Sequence, residues 1–517
     1  MRINQAGFRN ALSRSAVFVY CCVTGLIAAV VTFCYAGTSF WYKDAASPVL
    51  LARGIPCAAG AALLFLLFFY FRRFRFPAFS EKAFYAAGTA ALLLWYTAAV
   101  RHASFMGGGD DPYYILNSAM AYGRGETMFI ETEYLELYPN NIMLTAVYGL
   151  VLRVWMAVTR TEPGPERFRM LLCLMQGALC AACCLLAARA ARRLTQSRRL
   201  AAYTWLSCAA LAGLSPYFLV PYSDSTALIL PILLFLIWLR IRSSGSLLLG
   251  CVYGLLAGLA WLIKPHAFLP VLAGLMTSFL YPEQPLRRRL PCLLAGAVCF
   301  FVMLVPVSRL LQRSMNLKID PEARVGMAHF LDMGLNTRTD GCFADEDRAF
   351  ARSFPTRAER DRACLARAAA RVKEMGPAGL LSHARRKCLV NHADGTFAWN
   401  LDFSRRVVPP PKNAFSEIVR SAVYEEGELH RLLATLQQIV WQLLLLLLPF
   451  AALFLRRAPA ERAPAVFMLM LSCVGILVFP MLFEAKARYV FTHVPLLCVL
   501  AVCSGSSIAR RGGEKNP

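Results

Sequence analysis

Asp110 and Asp111 stand side by side between Gly107-Gly108-Gly109 and Pro112-Tyr113-Tyr114. Glycines let the backbone turn tightly and let a ligand approach it, while adjacent carboxylates supply a general base or a cation site. A solvated turn is the plain alternative for such a stretch taken alone. The neighbouring sequence favours chemistry: the stretch 101–167 is long for a connection, carries Glu126, Glu131, Glu133, Glu136 and Glu162, and passes through Leu137-Tyr138-Pro139-Asn140-Asn141 into an aromatic amphipathic run. Three further places carry reactive or charged groups at the ends of apolar runs: Asp224 in Pro221-Tyr222-Ser223-Asp224-Ser225, Lys264 and His266 in Trp261-Leu262-Ile263-Lys264-Pro265-His266, and Arg488 in Glu484-Ala485-Lys486-Ala487-Arg488. Cations there suit an anionic ligand such as a phosphate. The alternatives are snorkelling for Lys264 and a structural ion pair with Glu484 for Arg488.

The elements that must position these residues are set by composition. Of 517 residues 58% are hydrophobic and 17% charged, with mean hydropathy +0.49, and the apolar excess is blocked into runs of about 18 to 22 residues, the length that crosses a hydrocarbon core of roughly 30 Å. In lipid such runs must be helices. The fold class is therefore an all-α polytopic membrane protein with juxtamembrane helices and a long outer loop. Runs at 15–36, 49–71, 83–100, 169–190, 200–220, 225–241, 247–263, 267–282, 291–309, 435–455, 464–483 and 489–506 predict about twelve transmembrane helices. Disulfide-scaffold, disordered and collagenous classes are excluded.

The run 142–159 is kept out of that set. As a span it would carry Arg153 near the bilayer centre, at a cost of roughly 2.5 to 3.5 kcal/mol, and would invert every later loop. Placed on the outer surface, it leaves the clusters Arg72-Arg73-Phe74-Arg75, Arg192-Arg193 with Arg198-Arg199, Arg240 with Arg242, Arg287-Arg288-Arg289, Arg456-Arg457 and Arg510-Arg511 all inside. The Asp110 loop, Asp224, Lys264, His266 and Arg488 then share the outer face with the segment 310–434.

The net charge of +24 follows from this orientation pattern and argues for no nucleic-acid partner. Among 18 cysteines, Cys180, Cys183 and Cys184 lie within an apolar helix and read as small packing residues, and Cys342, Cys364 and Cys388 make no disulfide framework. No G-x-x-x-x-G-K-[ST] occurs, which removes support for an ATP-driven pump.

Asp110-Asp111-x-x-Tyr114 in an outer loop directly after a span, followed by a proline-containing turn and a surface helix, resembles the GT-C superfamily of glycosyltransferases. The similarity is to the branch of protein O-mannosyltransferases and lipid A aminoarabinose transferases, whose loop reads D-E-x-x-Y with the first acidic residue catalytic. The resemblance covers 83–310 and implies that Asp110 is the catalytic base with Asp111 beside it, that Tyr114 matches the family tyrosine, and that Asp224 takes the place of an aspartate in the second outer loop. This chain has Asp111 where the family has Glu, and Tyr138-Pro139-Asn140-Asn141 where the family has Pro-Pro. The implied donor is a polyprenyl-phosphate sugar; from their own places at span ends, Lys264 and Arg488 are cations suited to its phosphate, and His266 is a further substrate-binding candidate. The acceptor is left open among lipid, glycan and protein; no cofactor is implied with certainty, and a divalent metal stays open. The implied location is a bacterial plasma membrane with the active site extracytoplasmic.

The expected organisation is membrane helices over 1–82, a catalytic membrane core over 83–310 including the loop 101–167, an extracytoplasmic segment over 311–434 and C-terminal membrane helices over 435–517. Within 311–434 the pattern predicts helices around 357–374 and 379–389 separated by Gly376-Pro377, then a turn at 391–399 with aromatic anchors, and the sequence does not show whether that turn closes over the site. Two rival readings differ in where they need charge. A transporter or flippase of lipid-linked saccharides needs it inside the spans, and a glycan ligase or polymerase relies on outer arginines without Asp110.

Overall fold

The computed structural model describes residues 5–34, 59–66, 81–104, 110–399, 413–424 and 427–508. Gly107-Gly108-Gly109, most of the 49–71 run and the basic clusters at 72–75 and 510–511 lie outside the described residues. Among the described residues the regular structure is helical throughout. Among the described residues eight helices are long and apolar enough to cross a membrane, and Leu247–Ile263, Pro265–Leu280 and Val494–Ile508 are shorter apolar helices.

Among the described residues most predicted runs are recovered as helices; 435–455 and 489–506 are interrupted briefly, at Leu448–Phe450 and at 492–493, and 200–220 is redirected altogether. The run 200–220 starts as Arg198–Cys208, continues as the π-turn Ala209–Gly213, and ends at Ser215, whose extended backbone (ψ 127°) leads into Pro216. Proline disfavours the α conformation in the residue before it and has no N–H to give, so the chain turns here into the short Pro216–Leu219 helix.

The Asn141–Thr159 helix, expected on the surface, meets the length and apolarity of a span. It pairs closely with Asp111–Arg124: a Cβ on Gly149 would lie 2.6 Å from the Tyr122 ring and 3.0 Å from the Ala119 carbonyl oxygen. Arg153 is accommodated within this pair, donating to the Tyr122 carbonyl at 2.8 Å and lying 4.4 Å from the centroid of the Tyr122 ring. A second close pair is Leu247–Ile263 with Leu286–Val302, where a Cβ on Gly254 would sit 2.0 Å from the Gly296 carbonyl oxygen.

Two apolar cores result. The larger contains Tyr96, Cys180, Cys183, Cys184, Trp441 and Phe491, which confirms the cysteines as packing residues, and the smaller contains Ile115, Leu144, Leu152, Leu234 and Ala257. Tyr222 packs against both, so the short helix it introduces sits at their junction.

Among the described residues, the segment 311–434 carries the helices Met327–Gly334, Asp345–Arg352, Arg357–His392 and Ala414–Val423. Arg357–His392 opens with a capping box between Thr356 and Glu359 and is kinked at Gly376 (φ 57°) ahead of Pro377, where the sequence predicts the break. Two buried aspartates, Asp332 and Asp347, are each bridged by both Arg367 and Arg371 and fasten the first two helices to the third.

The turn 391–399 does not close over the site. Trp399 is fully buried and its Nε1 donates to Gln437 Oε1 at 2.9 Å; Trp441 Nε1 donates to the His392 carbonyl at 2.7 Å and Tyr217 OH to the Phe397 carbonyl at 2.6 Å. Phe397 and Ala398 take left-handed backbone (φ 56° and 69°), held by Asp394, which accepts the amides of Thr396 and Ala398. The aromatic anchors face the larger core, so this turn is an interior plug.

Candidate active site

A cavity of about 1560 Å³ is lined by Asp110, Asp111, Tyr114, Asp224, Lys264, His266 and Arg488 together. Residues that the sequence places far apart meet in one space.

Asp110 is the N-cap of Asp111–Arg124: it has extended backbone, and its Oδ1 accepts the Tyr113 amide at 3.1 Å. Pro112 in the first turn suits this start, since its missing N–H would have had no partner there. Asp111 turns the other way, and its Oδ2 accepts the Tyr222 hydroxyl at 3.0 Å. Tyr134 completes this setting. Its hydroxyl accepts from Asn141 Nδ2 at 2.7 Å, its ring stacks on Tyr114 at 5.1 Å, and burial together with neighbouring Asp111 and Tyr222 raises its phenol pKa. Asp111 is thus tied into a tyrosine frame, and Asp110 sits at the helix tip.

Asp224 and Lys264 form a buried ion pair, with Ser223 Oγ 3.5 Å from Lys264 Nζ. Lys264 therefore does not snorkel; the end of Leu247–Ile263 delivers it into the protein. Burial pushes its amine down to about 8, opposed by Asp224 and reinforced by Arg488. Arg488 lies with its guanidinium carbon 5.5 Å from the Tyr222 ring centroid, and Lys264 Nζ is 6.0 Å from the same centroid on its way to Asp224. Glu484 Oε2 accepts the Tyr489 hydroxyl at 2.5 Å. His266 is 4% exposed and ringed by Phe479, Tyr489 and His493, and neither of its ring nitrogens has a hydrogen-bond partner among the described residues.

The cavity has two kinds of wall. Trp261, Leu262, Phe268, Leu272 and Leu304 make an apolar side formed by the ends of the helices that flank Lys264 and by the π-turn Met303–Val307. The rest of the lining is more polar and includes Arg324, Arg348, Arg352 and Arg357 from the 311–434 segment. Arg352 reaches Glu133 at 2.7 Å and joins that part of the lining to the stretch that follows Asp110. Among the described residues no group of three or more His, Cys, Asp or Glu is arranged to hold a metal ion.

Sequence reading missed Tyr134, Tyr222, Asn141, Tyr489 and the lining arginines as members of this site. Tyr222 and Asn141 lie within motifs that drew attention for their neighbours, but nothing in the sequence joins Tyr222 to Asp111 across 111 residues. The lining arginines sit among the many basic residues of a segment with no motif of its own.

The chain belongs to a family described as conserved hypothetical integral membrane protein, whose model matches residues 61–508. No curated protein matches it in sequence. Among solved structures it is similar to ArnT from Cupriavidus metallidurans, determined bound to undecaprenyl phosphate, at 17% identity over 81% of this chain and 77% of that one, with a TM-score of 0.31.

Proposed function

We propose that this protein is a membrane glycosyltransferase that moves a sugar from a polyprenyl-phosphate carrier to an acceptor hydroxyl at the outer face of the membrane. The observation that carries the reading is the convergence of Asp110, Asp111, Asp224, Lys264, His266 and Arg488 on one cavity with an apolar side wall. A polyprenyl tail needs lipid-like walls and its phosphate needs cations at the interface, and Trp261, Leu272 and Leu304 stand on the same cavity as Lys264 and Arg488. The ArnT structure, solved with undecaprenyl phosphate, offers a concrete carrier to test.

In the proposed step the acceptor hydroxyl gives its proton to the Asp110 carboxylate as its oxygen attacks the anomeric carbon from the face opposite the phosphate. The bond from that carbon to the phosphate oxygen breaks, and its electron pair leaves with the carrier phosphate. The anomeric carbon is inverted. Arg488, with Lys264 behind it, faces the charge that develops on the departing phosphate. Asp111, bonded to Tyr222, holds the loop and is not the base. The charged candidates stand at helix ends and in loops, which favours this reading over a transporter with charge within its spans.

Turnover of radiolabelled polyprenyl-phosphate sugars by the purified protein, with wild type and Asp110→Asn in parallel, tests the proposal. Transfer by wild type that falls by roughly 10² to 10⁴ in the variant is expected. Near-wild-type turnover by Asp110→Asn would move the ligase or transporter reading ahead.

A further inference from the structure

The loop 483–488 carries Glu484, Lys486 and Arg488 into the cavity, and its backbone is held at two points by the 311–434 segment. Lys387, on the second half of the kinked Arg357–His392 helix, is 1% exposed and donates from Nζ to the carbonyls of Gly334 and Phe483, both at 2.6 Å. The Ala485 amide donates to the Gly341 carbonyl at 2.7 Å. These two bonds bracket Glu484, whose carboxylate accepts from Tyr489. The space for the lysine is made by glycines. A Cβ on Gly334 would lie 2.4 Å from the Phe483 carbonyl oxygen and 2.7 Å from Lys387 Nζ, and Gly341, at φ 81°, would place one 3.1 Å from Lys387 Cε.

We infer that Lys387 is a positioning residue for the anion-binding side of the cavity: it ties the loop bearing Lys486 and Arg488 to the 334–342 turn and so presents those cations to the carrier phosphate. The inference rests on the proposed glycosyltransferase reading and gives the 311–434 segment a part in it. An amphipathic helix resting on a membrane has no use for a buried lysine whose partners are main-chain carbonyls of two other elements. Burial is costly to this ammonium, pushing its pKa down to about 7 against the pull of nearby Cys342 and Glu484, and a methionine would fill the same space without that cost. A role in packing alone therefore predicts a harmless Lys387→Met variant, whereas a tie predicts a loosened loop.

The test uses the full-length protein in detergent, with undecaprenyl phosphate as the probe. In Lys387→Met, hydrogen exchange of the peptide spanning 483–488 is expected to quicken and affinity for undecaprenyl phosphate to fall, each by about tenfold, the loss expected for a hydrogen bond from a charged donor. Lys387→Arg, which restores two N–H donors, is expected to recover part of both. Should the methionine variant fail to fold, Lys387→Gln keeps an uncharged N–H donor group on a shorter side chain and is expected to give a smaller change in the same two readings. Wild-type exchange and affinity in the methionine or glutamine variant would overturn the inference, as would faster exchange with unchanged affinity. Failure of the wild type to bind undecaprenyl phosphate at all would instead strike the proposed function, and the exchange measurement would still report whether the tie exists.

Discussion

Removing the Lys264 ammonium should expose two separate roles. The Lys264–Asp224 pair is 5% and 3% exposed, so Lys264→Met keeps an unbranched chain in place but leaves a carboxylate buried without its cation. Breaking a buried pair from one side costs about 3 to 5 kcal/mol, most of it the penalty of the charge left behind, whereas replacing both partners with uncharged residues is often neutral. Adding Asp224→Asn to Lys264→Met should therefore recover most of the lost stability. The non-additivity between the two should be at least about 2 kcal/mol, as expected for residues in direct contact.

Carrier binding should behave differently. Both the single and the double variant lack the ammonium behind Arg488, so neither should bind undecaprenyl phosphate as tightly as wild type. The assay pairs unfolding midpoints in a fixed detergent with binding of the carrier, for wild type, both singles and the double. Stability restored in the double variant without restored affinity supports both roles. A Lys264→Met protein as stable as wild type would show that the pair holds nothing in place, and a double variant binding with wild-type affinity would remove Lys264 from the phosphate site.

Asp111→Asn should lower transfer less than Asp110→Asn does, because Asp111 acts through Tyr222; a chelator added to wild type separates a loop-orienting role from a cation-holding one. Burial holds the Lys264 amine near pH 8; it is charged below that value and neutral above it, so carrier affinity should decline as pH rises through about 8, and the Lys264→Met protein should lack this inflection. Gly254→Ala places a Cβ against the Gly296 carbonyl oxygen and should lower the unfolding midpoint through an overpacking cost of about 1 to 3 kcal/mol; a variant as stable as wild type would mean the two helices part freely. Cysteines introduced at Met128 and Arg288, in a background with exposed native thiols replaced, should be labelled from outside and from inside respectively, and outside labelling at 288 would mean that Asn141–Thr159 crosses the bilayer.

Much of the fold was legible because the physics that sets it is local. A run of apolar residues about as long as the bilayer is thick has to be helical, and the stop at Gly376-Pro377 appears as a kink because glycine accepts φ 57° and proline cannot continue the hydrogen-bond ladder. The break at 214–215 was legible in principle from Ser215-Pro216, but the hydropathy of the surrounding run outweighed it. The inward fold of 391–399 was not legible. Its phenylalanine and tryptophan suit a membrane-facing anchor as well as a core plug, and the choice is made by Tyr217, Gln437 and Trp441, all distant in sequence.

The site was legible as a set of residue types and obscure as a set of partnerships, for a reason visible at Lys264. Apolar flanks and a helix end describe its place in the chain equally well whether it snorkels, binds phosphate or pairs with a carboxylate, and only the approach of Asp224 from 40 residues away decides among these. The same holds for Asp110 and Asp111, alike in sequence. One becomes a helix cap because Tyr113 offers an amide, and the other becomes a tie because Tyr222 reaches it from the junction of the two cores. Chemistry needs that asymmetry, since two equivalent carboxylates would share a proton or a cation instead of taking separate tasks. The catalytic role proposed for Asp110 thus depends on Tyr222 occupying Asp111, so Tyr222→Phe should blur the difference between Asp110→Asn and Asp111→Asn in transfer rate. If the two carboxylates stay as distinct in the Tyr222→Phe background as in wild type, their separate roles come from the helix cap alone.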